Sequence, residues 1–268
     1  MEIRVKMTGV IRFSVLTPDY YAGRFPDQAD AAAHLYSPDR MELRFRLFEK
    51  LCLPSLARQS DQDFQFVVLT SDQMPRDCLW RLEDLLSPLS NSRLMVAAPD
   101  VHYQLLKGAY NLVPEEDETH FIRFRLDDDD AVDMDFVTRT KAIAKTMIPM
   151  QGGNTPFILA NNRGFYLKGR GEEAEIFDTC ERAPLSVGTS LVAPKGHPMN
   201  PYRFNHRKFP QHFNTFSDIS APYFLRSIHG DNKSDPTLMG QTRTWRKKVL
   251  QRNLKRHFGV TMDELRNI

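Results

Sequence analysis

Four consecutive aspartates, Asp127 to Asp130, are the residues of this sequence with the clearest capacity for chemistry. Like charges a few ångströms apart repel each other unless a cation or protons offset them. Mg²⁺ and Mn²⁺ prefer oxygen ligands and also bind the oxygens of a diphosphate. Along an extended backbone, Asp127 and Asp129 would lie on one face, and Asp128 and Asp130 on the other. One such pair, with Asp127 and Asp129 favoured, is therefore predicted to share a divalent metal ion.

A structural role is the alternative for this acidic run. Clustered charges usually face water, and residues 130–135 could cap the helix predicted after them. The position of the run favours the metal hypothesis, because the preceding residues 120–126 are largely apolar and predict a buried strand. Arg123 and Arg125 lie just upstream and could offset part of the negative charge.

The elements that lead to the acidic run alternate between strand and helix. Buried strands, rich in β-branched and aromatic residues, are predicted at residues 11–17, 64–70, 93–97 and 120–126. Helices are predicted at residues 41–59, with Pro54 as a kink or break, 75–86 and 101–112. This alternation favours an α/β fold with a mixed, mostly parallel sheet flanked by helices. Ligands of such sheets bind at the carboxyl ends of the strands, where the acidic run begins.

The rest of the chain is less regular. Residues 18–40 and 194–212 are predicted as loops, and the first is long enough to favour a functional role. A helix over residues 135–147 is followed by short strands at residues 156–160, 164–168 and 186–192. The first two of these strands are predicted to form a hairpin.

Composition excludes several classes of protein. The 36 Lys and Arg nearly balance the 34 Asp and Glu, so the net charge of +2 gives no reason to expect a nucleic-acid partner. The three cysteines lack the spacing of a zinc site or a disulfide framework. No phosphate-binding glycine motif is present, which argues against a dinucleotide oxidoreductase or a P-loop NTPase. Without a signal-peptide core or an apolar stretch of membrane-spanning length, we predict a cytoplasmic protein.

The last 28 residues, 241–268, are predicted to form a basic helical tail beyond a main domain of residues 1–240. Seven Lys or Arg and no acid lie between Arg243 and Arg256, with apolar residues at near-helical spacing. One hypothesis is that this tail contacts the anionic inner face of a membrane peripherally. The alternative is a terminal helix that packs its apolar side on the domain and leaves its basic side in water.

Residues 121–132 resemble the strand and D-x-D element of GT-A glycosyltransferases, and more narrowly the bacterial family described as putative rhamnosyltransferases. The likeness extends to residues 44–56, 59–64 and 227–232, and it covers most of residues 11–233. It implies a GT-A-like, Rossmann-like fold. It also implies transfer of a sugar, rhamnose in the family's name, from a nucleotide-diphosphosugar donor to a hydroxyl of a glycan, a lipid-linked molecule or a small molecule. Mn²⁺ or Mg²⁺ would bind the diphosphate.

The resemblance also assigns metal ligands. His229 matches the late histidine that often completes the metal site of such enzymes, with the alternative that it is an ordinary loop histidine. The predicted ligands are therefore Asp127, Asp129, Asp130 and His229, with Asp128 at the donor. Four aspartates exceed a minimal D-x-D, which leaves open which of them bind the ion.

Donor binding is predicted along the first strands. Thr17 and Asp72 would meet the ribose or base, and Arg46 or Arg125 would lie near phosphate. Each of these residues could equally be structural, since Asp72 also fits a turn that starts a helix.

Asp218 is the predicted catalytic base, because an inverting enzyme needs a carboxylate to take the acceptor's proton. Asp178 and Asp231 are alternatives, and a helix cap is the structural alternative for Asp218. A retaining enzyme needs no such base. Two other functions remain open: a metal-dependent phosphohydrolase, and a non-catalytic module that binds a sugar or nucleotide through Ca²⁺.

Overall fold

A computed structural model of the chain describes residues 2–169, 171–231, 241–243 and 245–268. The strands are β1 (Val5–Arg12), β2 (Gln65–Ser71), β3 (Ser92–Ala97), β4 (His120–Asp127), β5 (Asp130–Val132), β6 (Phe157–Asn161), β7 (Arg163–Lys168), β8 (Glu175–Cys180), β9 (Ser190–Pro194), β10 (Asn214–Asp218), β11 (Phe224–Ile228) and β12 (Gln241–Arg243). The α-helices are α1 (Gln28–Leu35), α2 (Pro38–Leu47), α3 (Leu53–Ala57), α4 (Arg76–Leu86), α5 (His102–Asn111), α6 (Phe136–Met150), α7 (Lys247–Phe258) and α8 (Met262–Arg266).

A seven-stranded sheet with the order β10-β6-β9-β4-β1-β2-β3 forms the centre of the fold. Only β9 runs antiparallel to its neighbours, β4 and β6. Val10 of β1 lies opposite Val67 of β2 and Arg125 of β4, so the carboxyl ends of these three parallel strands meet at one edge. The predicted fold class, a mixed and mostly parallel sheet flanked by helices, is confirmed.

A second sheet has the order β12-β8-β7-β11-β5. Its strand β5 begins at Asp130, which lies opposite Arg226 of the antiparallel strand β11. The acidic run therefore passes from one sheet to the other, because Asp127 ends β4 and Asp130 begins β5.

The first strand differs from its prediction. It spans Val5–Arg12 rather than residues 11–17, because Lys6 and Thr8 interrupt its apolar pattern although β2 and β4 pair with it on both sides. The buried residues Phe13 and Leu16 that suggested a strand belong to the loop that follows.

Two further predictions were wrong. Residues 18–40 are not one long loop, because α1 lies within them, capped by Asp27, and α2 begins at Pro38. The strands β6 and β7 are adjacent in sequence but do not form a hairpin, since β6 joins the large sheet and β7 the small one. Within the predicted loop 194–212, a short 3-10 helix spans His206–Gln211.

The helix predicted at residues 41–59 is interrupted by a wider turn. Residues Phe48–Cys52 between α2 and α3 form a π-helical turn, in which the backbone N–H of Leu53 donates to the Phe48 carbonyl. Pro54 follows at once, and a proline has no N–H for the regular helical bond, so the ladder is already broken there. The aromatic rings of Phe45 and Phe48 pack on Phe13 beneath this turn.

Helix α7, which lies in the predicted basic tail, packs on the rest of the chain. Its buried residues Leu250, Leu254 and Phe258 share an apolar cluster with Leu47 and Phe165. Its exposed face carries Lys247, Lys248, Arg252, Lys255 and Arg256. The predicted domain boundary at residue 240 lies outside the described residues, and no helix in the described parts is long and apolar enough to span a membrane.

Candidate functional site

An open cavity of about 160 Å³ lies at the carboxyl ends of β1 and β4. All four aspartates of the acidic run line it. Five arginines also line it, and these are Arg12, Arg40, Arg44, Arg125 and Arg226. A cavity with this lining suits a ligand with several charged groups, because carboxylates and guanidiniums offer both charged acceptors and charged donors.

The acidic run is buried rather than solvated. Asp128, Asp129 and Asp130 are only 2%, 5% and 2% exposed. Arg44 of α2 donates from Nε to Asp128 Oδ2 at 2.9 Å and from Nη1 to Asp129 Oδ2 at 3.0 Å. One guanidinium thus bridges two neighbouring carboxylates, a geometry that arginine provides and lysine does not.

Asp127 has a cation of its own. Arg12, at the end of β1, donates from Nε to Asp127 Oδ1 at 3.1 Å. Burial alone would raise the pKa of Asp127, but the charges of Arg12 and Arg125 lower it to about 2. The Arg12 guanidinium lies over the rings of Tyr20 and Tyr202, 5.1 and 5.2 Å from their centroids, which fixes it in place.

Asp129, which lines this cavity, contacts His229 at its edge, and this contact is the one most relevant to a metal. His229 Nε2 lies 2.9 Å from Asp129 Oδ2. Ser227 of β11 holds the segments that carry these two residues in register. Its hydroxyl donates to the Asp129 carbonyl at 2.7 Å, and its N–H donates to Asp130 Oδ1 at 3.2 Å. Burial raises the pKa of Asp129, but Arg44 and His229 outweigh it and hold the carboxyl ionised.

This pair fits a metal that also takes ligands from its substrate. Across the described residues, no three His, Cys, Asp or Glu side chains are grouped as a complete metal site. Mg²⁺ is usually bound by one or two carboxylates, with substrate phosphates and water completing its shell, so a two-residue site is chemically adequate. Of the predicted ligands, the structure brings together Asp129 and His229. Asp127 instead pairs with Arg12, and Asp130 accepts from Ser227.

Three of the predicted donor-binding residues lie outside the lining of this cavity. The Thr17 hydroxyl accepts the Tyr20 N–H at 3.1 Å, which shapes the loop after β1. Asp72 is exposed in the turn after β2, and Arg46 points away on α2, 3.9 Å from Glu42. Arg125 and Asp128 do line the cavity.

Among the candidate bases, only Asp231 lines the cavity, with Oδ1 3.1 Å from His34 and Oδ2 2.8 Å from Arg40. Asp218 ends β10 and accepts the Tyr223 hydroxyl at 2.7 Å and the Ser220 N–H at 2.9 Å. No helix begins there, so Asp218 stabilises a turn and caps no helix. Asp178 is buried, 3.4 Å from Arg163. Asn232, part of the segment that carries the resemblance, lies outside the described residues.

Sequence reasoning missed most of the cationic lining. Arg44 lies in one of the segments that carry the family resemblance, but the prediction for phosphate binding there names Arg46. Two residues along a helix are about 200° apart around its axis, so only one of these two arginines can face the sheet. The burial of Met41, Phe45 and Phe48 on the same side would have indicated Arg44.

The chain matches one protein family and is similar to several solved structures. A family model described as "Putative rhamnosyl transferase" matches residues 6–241. A search of curated proteins gives no match. Among solved structures, Staphylococcus aureus TarS 1-349 in complex with UDP-GlcNAc is similar, with 13% identity and a TM-score of 0.46 over 85% of this chain and 60% of that one. A structure titled as a putative glucose-1-phosphate thymidylyltransferase from Bacillus anthracis has 9% identity and a TM-score of 0.36 over 82% and 89%. The chain thus spans about 60% of the TarS 1-349 structure. With TM-scores below 0.5, these structures do not indicate which ligands this chain binds.

Proposed function

This chain belongs to the family described as putative rhamnosyl transferases, and from that premise we propose that it transfers a sugar from a nucleotide-diphosphosugar to an acceptor hydroxyl, using a divalent ion. The membership makes it a glycosyltransferase by family. The donor class, the ion and the residues that bind them are our proposal. Rhamnose is the sugar in the family's name.

The observation that carries the proposal is the Asp129–His229 pair, joined at 2.9 Å, with Asp129 in the lining of a cavity at the carboxyl ends of parallel strands. We propose that these two side chains hold Mn²⁺ or Mg²⁺. Asp127 and Asp130 are close in sequence and would also bind the ion if they exchanged Arg12 and Ser227 for it. A bound ion would offset the charge that develops on the diphosphate as the bond to the sugar breaks.

The protein's own residues would position the donor. The lining near β1 contains the aromatic side chains Tyr20, Tyr21 and His102, whose rings offer stacking surfaces for a nucleotide base. Tyr20 and His102 already stack on each other, with centroids 4.5 Å apart. Arg12 and Arg44 orient Asp127 and Asp128 through hydrogen bonds, so these carboxylates can accept hydrogen bonds from ribose hydroxyls.

The test is a thermal-shift panel of nucleoside diphosphates with and without Mn²⁺. A ligand that binds only the folded protein raises its melting temperature. We expect one nucleoside diphosphate to stabilise the wild-type protein in a metal-dependent way, and we expect Asp129→Ala and His229→Ala to remove the metal-dependent part. Asp84→Ala, an exposed carboxylate on α4, is the matched control and should keep the full shift. If Asp129→Ala also keeps it, the site assignment is wrong.

Turnover separates an enzyme from a binding module. We expect slow release of free sugar from the identified nucleotide-sugar in the presence of Mn²⁺, since water can replace a missing acceptor. A protein that binds the nucleotide-sugar tightly but never hydrolyses it or transfers its sugar would instead be a binding module.

A further inference from the structure

We propose that Arg125 and Arg226 form an oxyanion-binding subsite, which holds a phosphate or carboxylate group of the acceptor. This inference rests on the proposed function, since it names the class of acceptor for the same cavity. It makes the acceptor an anionic molecule rather than a neutral glycan.

These two arginines differ from the other three in the cavity. Arg12, Arg40 and Arg44 each form a salt bridge with a carboxylate. Arg125 and Arg226 are equally enclosed, each only 8% exposed, but neither lies within salt-bridge distance of any carboxylate among the described residues. The Nε atom of each is buried without a hydrogen-bond acceptor in that same part of the chain.

The remaining contacts of the two guanidiniums with described residues involve no carboxylate oxygen. Arg125 donates from Nη1 to the Pro201 carbonyl at 3.4 Å and lies over the ring of Tyr202, 4.3 Å from its centroid. Arg226 lies opposite Asp130 across the β5–β11 pair, but the Asp130 carboxyl accepts the Ser227 N–H and not the guanidinium. Burial lowers the pKa of Arg226, but the charge of Asp130 outweighs it and raises the pKa, although no described carboxylate lies within salt-bridge distance. A buried N–H donor without an acceptor is costly, so two such guanidiniums in one cavity are suited to bind an oxyanion.

The surroundings of the two arginines favour an anion. His206 and Ser186 line the same cavity, and each can donate a hydrogen bond to an oxyanion. Burial and then the charges of Arg125 and Arg226 lower the pKa of His206 to about 3, so the imidazole is neutral at physiological pH. Asp127 only partly offsets the effect of the two guanidiniums on His206.

The position of the subsite favours the acceptor over the donor. Arg226, Ser186 and His206 come from β11 and from the loops around β9, whereas the aromatic residues proposed for the nucleotide come from the loop after β1 and from α5. The donor's diphosphate already has the Asp129–His229 site and its ion. A further phosphate or carboxylate at Arg125 and Arg226 would then belong to the second substrate, and its charge would position the nearby hydroxyl for transfer.

The same chemistry could come from the donor's own diphosphate, and the experiment distinguishes the two sources. Binding of inorganic phosphate is measured by calorimetry in the presence and absence of a saturating nucleoside diphosphate with Mn²⁺. The proteins are the wild type, Arg125→Gln, Arg226→Gln and the control Arg93→Gln, which changes an exposed arginine on β3. We expect the wild type and the control to bind phosphate equally well with and without the nucleotide.

We expect each cavity variant to weaken phosphate binding by about tenfold or more, because a charge-assisted hydrogen bond is lost, and to keep its affinity for the nucleotide. Competition between phosphate and nucleotide, or loss of nucleotide binding in the variants, would assign the arginines to the donor and overturn the inference. It is also overturned if the wild type binds no phosphate, or if both variants bind it unchanged. If no nucleoside diphosphate binds while the arginine-dependent phosphate site remains, the donor proposal fails and the subsite stands.

Stability provides a second readout that a structural role would not produce. An arginine that holds the fold together lowers the melting temperature when it is removed. Arg226→Gln removes a buried charge that forms no salt bridge among the described residues, so we expect its ligand-free melting temperature to be close to that of the wild type. A clear fall in melting temperature would mean that Arg226 serves the fold.

Discussion

At the scale of single residues, arginine offsets the charge of the acidic run. Asp129 Oδ2 receives both Arg44 Nη1 at 3.0 Å and His229 Nε2 at 2.9 Å. A divalent ion that binds this oxygen must therefore displace Arg44 from it or share the oxygen with Arg44. A diphosphate that brings its own ligands for the ion makes this exchange favourable, which explains why we expect nucleotide and metal to bind together.

The role of Asp218 can be tested with one substitution. Its carboxylate is held by Tyr223 and Ser220 in the turn after β10, outside the cavity lining. We expect Asp218→Asn to lower kcat by less than about tenfold, since loss of a general base costs about a hundredfold or more. Asp231→Asn is the comparison, because Asp231 does line the cavity. A loss of a hundredfold or more in Asp218→Asn at unchanged melting temperature would support the original assignment as the base.

At the scale of elements, β1 is positioned by one close approach to β4. Gly9 lies opposite Phe124, and a Cβ atom at residue 9 would lie 2.1 Å from Cζ of that ring. The ring is fully buried against Phe64 and Phe136, so it has little room to move. The glycine thus allows the two strands that end at Arg12 and Asp127 to pack closely, which sets the spacing of that ion pair.

We expect Gly9→Ala to lower the free energy of unfolding by about 1–3 kcal/mol, the usual cost of overpacking a core. Gly23→Ala is the matched control, because a Cβ atom there has no neighbour within 4 Å. Urea unfolding of both variants and the wild type measures the effect. Equal stability of the two variants would show that Phe124 moves aside without cost.

The tail helix α7 is an element whose function remains a prediction. Its apolar side is used within the protein, where Leu254 is fully buried. Insertion of this side into a membrane would require the helix to detach from the small sheet. Contact with anionic lipid would therefore depend on the exposed lysines and arginines alone, and would weaken with salt.

At the scale of the whole molecule, a buried histidine of the cavity makes stability depend on pH. Burial and the charges of Arg125 and Arg226 lower the pKa of His206 to about 3, against about 6.5 in an unfolded chain. Between pH ~6.5 and about 3 the histidine is protonated in the unfolded chain but not in the folded protein. Its contribution to stability is therefore complete above pH ~6.5 and decreases as the pH falls toward 3.

We expect the wild type to lose about 1–2 kcal/mol more stability than His206→Gln between pH 7 and pH 5, since one pKa unit corresponds to about 1.4 kcal/mol. Urea unfolding at the two pH values measures this difference. His212→Gln, which changes an exposed histidine, should behave as the wild type does. The same loss in His206→Gln as in the wild type would contradict the assignment.

The sequence determined what depends on neighbours along the chain. Runs of β-branched and aromatic residues between helical segments predicted β2, β3 and β4 and the mostly parallel sheet, and they placed the acidic run at the end of a buried strand. Local patterns of this kind are strong because a strand and a helix bury residues with different periods. The same rule failed for β1, whose Lys6 and Thr8 break the apolar pattern within a central strand.

Only the tertiary structure decided how the acidic run is neutralised. Arg44 and Asp128 are 84 positions apart, and Asp129 and His229 are 100 apart, so no local pattern pairs them. The small sheet was not predicted for the same reason, because β5, β7 and β11 pair although they are far apart in sequence. This pairing places β7 in a different sheet from its sequence neighbour β6. The packing of these distant segments decides which arginines of the cavity form salt bridges with a described carboxylate and which two form none. The energy of a charge is set by what surrounds it in space.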